Sequence, residues 1–81
     1  SLMFRKNIEK GIKNDLYRKD IEIDSYVKFY YTLIFNIHEN TSSEKESKRL
    51  ELKALEYHTR AMATPKGILE LEKQLHNTIT Q

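Results

Sequence analysis

The sequence predicts an all-α protein, a small antiparallel bundle of about four helices. Three observations predict it. The 81 residues include only two glycines and one proline, while Leu, Lys, Glu and Ile are abundant, a composition of helix formers. Apolar residues recur at spacings of three and four, the period of one helix face. Polar stretches with capping or turn residues separate four such patterns.

The first helix is expected from Met3 to Tyr17. Phe4, Ile8, Ile12 and Leu16 form its apolar stripe. Gly11 interrupts it at a cost of about 1 kcal/mol against alanine; it either admits a close neighbour or is simply tolerated. Arg18 and Lys19 are expected at the C-terminus, where the helix dipole favours cations. Asp20 is expected to cap the second helix, since its short acceptor side chain can bond free amides.

The second helix is expected from Ile21 to His38. Between Tyr26 and Ile37 only Lys28, Thr32 and Asn36 are neither apolar nor aromatic, and five of the chain's aromatic residues lie here. A helix apolar nearly all round expects partners on several sides, more than a chain of this length readily supplies. A polar turn follows at Asn40–Ser43. Ser43 with Glu46 fits a capping box and opens a third helix running to Ala63. Leu50, Ala54, Tyr57 and Ala61 form one stripe on it, and Leu55, His58 and Met62 a neighbouring one. Thr64 then caps, and Pro65 takes the first position of, a fourth helix to Asn77. Ile68, Leu71, Leu75 and Ile79 share one of its faces. Around Pro65, the small residues Ala61, Ala63 and Gly67 predict a close packing corner.

Charge and residue inventory exclude several functions. Fourteen basic and twelve acidic residues give a net charge of +2. The signs are interspersed, which is a solvated surface and not a nucleic-acid footprint. No apolar run approaches the roughly 20 residues of a membrane span, and no signal-peptide pattern is present, so a soluble intracellular protein is expected. With no cysteine, disulfides are excluded, and a chain this short then looks to a partner subunit for support. His38, His58 and His76 are too far apart for zinc spacing, so no metal or cofactor is expected. Glu70 and Glu72 point to different helix faces, and no nucleophile motif or phosphate loop occurs. Nothing suggests an enzyme.

Two binding surfaces stand out instead. Aromatic residues of the second helix suit a mostly apolar small-molecule pocket with tyrosine hydroxyls as handles; ordinary core or dimer contact is the plainer alternative. The last two helices, with their tight junction, suit a four-helix bundle made by two copies; the alternative is packing within one chain. Arg60 either reaches a partner or pairs with Glu56 one turn away.

The segment Asn7–Ile21, with Gly11, Leu16-Tyr17-Arg18 and Asp20-Ile21, resembles the Gly-Ile-x-x-Gly-Leu-Tyr-Arg-x-Asp-Ile segment of tetracycline-repressor-like transcriptional regulators of Bacteroidetes type. Tyr57-His58-Thr59-Arg60-Ala61-Met62-Ala63-Thr64-Pro65-Lys66-Gly67 resembles their Tyr-His-x-Arg-Gly-Ile-Ala-Thr-x-Lys-Gly segment, with Ala61 where glycine is usual. The resemblance covers roughly Phe4 to Gln74. It implies a single helical regulatory and dimerisation domain over residues 1–81, a bacterial cytoplasmic fragment whose N-terminal helix-turn-helix domain is absent. DNA would be contacted only through that missing domain. It also implies a homodimer formed by the last two helices, and a pocket for a small-molecule effector. Ser1-Leu2 is read as a cloning remnant. On this basis Tyr26, Phe29, Tyr30, Leu33 and Ile34 are the candidate effector-binding residues. Tyr57, Arg60, Ala61 and Thr64 are candidate dimer contacts before and at the corner; Gly67, Ile68, Leu71 and Leu75 are those after it. A ligand-free helical dimerisation or adaptor module is the competing class.

Overall fold

A computed structural model describes the backbone of residues 2–80 and the side chains of residues 3–77. Four helices follow one another: α1 (Leu2–Lys13), α2 (Ile23–Asn40), α3 (Glu44–Met62) and α4 (Pro65–Thr80). Among the described residues the rest is turns and one isolated antiparallel bridge, Tyr17 to Ala63. Ser1, and the place of Ile79 on the last apolar face, lie outside the described side chains.

α2 and α3 pack as a helical hairpin, and α1 packs on α2. The centre of the core is Ile8 of α1, Ile21 just before α2, and Met62 at the end of α3. Phe4, Ile12, Tyr17, Ile23, Tyr26 and Val27 close around them. Ile37 of α2 and Ser47, Ala54 and His58 of α3 are also buried.

α1 stops four residues before the expected Tyr17. The Leu16 amide bonds the Gly11 carbonyl at 2.8 Å and the Asp15 amide bonds the Ile12 carbonyl at 3.1 Å. Asp15 has φ 60°. This is a Schellman ending in which aspartate takes the left-handed position that usually demands glycine; a short polar side chain is the tolerated exception there. The last-turn cations are consequently Lys10 and Lys13, not Arg18 and Lys19.

Asp20 is not the cap of α2. The N-cap is Glu22, with extended backbone and no side-chain capping bond. Ile21 is buried in the core instead, one residue before the extended Glu22. At the next two helix starts the caps are as expected. The Ser43 hydroxyl accepts from the Glu46 amide at 3.1 Å, and the Thr64 hydroxyl accepts from the Gly67 amide at 3.0 Å. On α3 the buried face cuts across the two expected stripes. Ala54, His58 and Met62 are buried, whereas Leu55 and Tyr57 are 45% and 67% exposed.

Candidate functional site

The aromatic residues of α2 divide between interior and solvent. Tyr30 stacks on Phe4 of α1, ring centres 4.2 Å apart. Tyr31 stands edge-on to both, and His58 meets Tyr30 edge-on at 5.3 Å. These stacked and perpendicular arrangements are those that ring quadrupoles favour. Tyr26 packs on the Ile8–Ile21–Met62 core and stands 6.1 Å from the Phe29 ring. Leu33 and Ile34 are half-buried. Phe29 and Phe35 are 58% and 66% exposed. Of the five candidate effector residues, then, Tyr26 and Tyr30 are held by packing and Phe29 faces solvent.

Phe4 and His58 complete this cluster, although sequence reasoning did not assign them to it. The available signals were Phe4 leading the α1 stripe and His58 lying on an α3 stripe. Burial pushes the His58 imidazole below its usual value and its Nδ1 is buried without a hydrogen-bond partner. Burial, followed by Tyr31 and Glu51, pushes the Tyr30 hydroxyl up.

The second candidate surface begins where the α1–α2 turn meets the α3–α4 corner. The Arg18 amide bonds the Met62 carbonyl at 2.9 Å and the Thr64 amide bonds the Leu16 carbonyl at 3.0 Å. The Arg18 guanidinium donates to the Ala61 carbonyl at 2.6 Å, satisfying a carbonyl that the end of α3 leaves free. The Thr64 hydroxyl donates to the Asp15 carbonyl at 2.6 Å, and the Lys66 ammonium donates to the Asn14 carbonyl at 3.2 Å. Both glycines of the chain face this turn. A Cβ on Gly67 would collide with the Leu16 carbonyl, and one on Gly11 with the Tyr17 ring.

From that corner α3 and α4 diverge. A groove of about 870 Å³ opens there, lined by Asn7, Lys10 and Gly11 of α1 and by Leu16 and Tyr17 of the turn as well as by α3 and α4. Leu52 and Leu55 of α3 and Leu71 and Leu75 of α4 line its walls. Its lining carries both charge signs, with Lys10, Arg49 and Lys53 beside Glu56 and Glu70. Arg60 bridges the two helices, donating to Glu56 and to Glu72 at 3.0 Å each.

The eight candidate dimer contacts thus fall into different settings. Thr64 and Gly67 are engaged within the chain, and Arg60 is committed to its two glutamates. Tyr57 and Ala61 are exposed, while Ile68, Leu71 and Leu75 are half-buried. Leu52, Leu55 and Leu69, which were not among the eight, are exposed apolar residues of the same two helices; Leu52 and Leu69 fall off the stripes traced in the sequence, and Leu55 lies on the α3 stripe shared with His58 and Met62.

Among the described residues no helix is long and apolar enough to cross a membrane, and no group of three or more His, Asp or Glu could hold a metal ion. Comparison of the chain with family models, with curated proteins and with solved structures finds no match.

Proposed function

We propose that this chain is the C-terminal effector-binding and dimerisation domain of a tetracycline-repressor-like bacterial transcriptional regulator. One observation carries the reading. The two segments that resemble that family, Asn7–Ile21 and Tyr57–Gly67, are far apart in sequence, yet they hydrogen-bond to each other at the corner. A shared pattern on two distant stretches has a single physical cause if those stretches build one joint.

In this reading the chain is a cytoplasmic homodimer and not an enzyme. A second copy covers the exposed apolar walls of α3 and α4, because apolar patches of that kind mark association surfaces. A small apolar effector enters beside Tyr26, Phe29, Tyr30, Leu33 and Ile34. It favours one arrangement of the bundle and so changes the spacing of the paired DNA-reading domains in the full protein. DNA is contacted only by a separate helix-turn-helix domain.

Light scattering over a concentration series tests the dimer. The expected result is a mass of two chains for the wild type, and at least about tenfold weaker association, roughly 1.4 kcal/mol, for Leu71→Arg. A folded wild type that stays monomeric at high concentration overturns it. The packing of Tyr26 and Tyr30 favours the ligand-free module as the second reading. A thermal-shift screen of small apolar and cationic compounds separates the two, since a ligand that binds only the folded state raises the midpoint.

A further inference from the structure

We propose that the Asn14–Arg18 turn is a regulatory joint, which fixes the opening of the α3–α4 groove and couples it to the position of α1. As a control on self-association this rests on the dimer reading above; as a statement about geometry it does not.

The turn is sandwiched. On one side Gly11 of α1 lies against Tyr17, and on the other Gly67 of α4 lies against the Leu16 carbonyl, with no room for a methyl group on either side. Close packing of this kind transmits displacement because it cannot absorb it. The turn is also bonded on both flanks. Gly11 and Ile12 carbonyls hold it to α1, and Thr64 and Lys66 hold it to the start of α4. α4 therefore takes its direction from the turn. Among its contacts, the Arg60–Glu72 ion pair is exposed and contributes little to that direction. The same turn residues, Asn14, Leu16 and Tyr17, line the groove. Whatever fills the groove touches the turn, and whatever moves α1 moves the turn.

The test uses the absence of cysteine from the chain. Spin labels on paired Lys48→Cys and Lys73→Cys report the α3–α4 opening. Labels on Lys6→Cys and Lys73→Cys report the α1–α4 spacing. All three lysines are exposed. Labelled chains are diluted into unlabelled protein, and pulsed electron paramagnetic resonance gives both distance distributions. In the wild type both are expected to be narrow. Thr64→Ala, which removes the hydroxyl that both bonds Asp15 and caps α4, is expected to broaden both together and to weaken self-association about tenfold. Thr64→Ser, which keeps that bond, restores both. Gly67→Ala, which wedges the turn from α4, is expected to shift both means; if it does not fold, the Thr64 pair decides. A Thr64→Ala chain with wild-type helicity and two unchanged distributions overturns the proposal. So does a change in the α3–α4 distance with α1–α4 unaltered. A monomeric wild type would instead sink the dimer reading, and the distances would still decide on the joint.

Discussion

Apolar side chains such as Ile8 of α1, Ile37 of α2 and Met62 of α3 are interior, whereas apolar side chains such as Leu52 and Leu55 of α3 and Leu71 and Leu75 of α4 line an open groove. The interior is closed because residues 41–43 turn α3 straight back onto α2, and because α1 lies on α2. Ile8 and Met62 each retain 1% exposure there. Beyond the corner the chain does not fold back. Thr64 caps, Pro65 starts a new helix, and the bonds to Asn14–Leu16 fix α4 pointing away from α3. Leu69 is left 72% exposed and Leu52 68%. Residue type does not decide burial here; the geometry of the two connections does.

Ile8→Ala breaks the closed region most severely. Removing a fully buried branched side chain leaves a cavity, and a loss of about 2–5 kcal/mol is expected by chemical denaturation. Acid attacks the same region through His58. Burial lowers the proton affinity of this imidazole in the fold, while in the unfolded chain it protonates near pH 6.5. The unfolded state thus binds more protons just below that pH, and stability is expected to fall as pH drops through about 6.5. His58→Phe should flatten that slope in thermal midpoints measured from pH 7.5 to 5; an unchanged slope would assign it to other groups. Asp15→Gly acts at the boundary between the regions. It removes the cost of a left-handed non-glycine residue and should stabilise the chain by about 0.5 kcal/mol. Leu69→Ala, in the open region, should change monomer stability by less than about 0.5 kcal/mol. A large loss at Leu69 would erase the contrast between the regions.

These contrasts also separate what could be read from the sequence. Four helices, the caps Ser43 and Thr64, Pro65 at a helix start, and the tight corner all follow from local chemistry. The end of α1 was missed because its stop signal was Asp15 in place of glycine. Leu16 continued the four-residue stripe past the true end, although its carbonyl was needed by Thr64. Local chemistry favours Asp20 as a cap, but Ile21 is buried in the core and α2 starts after Glu22. The buried face of α3 was mistaken because periodicity finds stripes without saying which one meets α2. Gly67 was legible as a point of close approach. That the approaching backbone is Leu16 of the same chain is a long-range fact, and no local pattern encodes it.

The sixteen residues of α4 make a rigid arm about 24 Å long, anchored at one end. Its mechanics follow from leverage. A tilt of about ten degrees at Pro65 carries the far tip sideways through about 4 Å, close to half the roughly 8–10 Å that separates packed helix axes. A facing helix packed near that tip would have to follow it or lose its side-chain contacts. An adjustment small enough to be hidden at the corner is thus magnified, along a single straight helix, into the making or breaking of a packed seam.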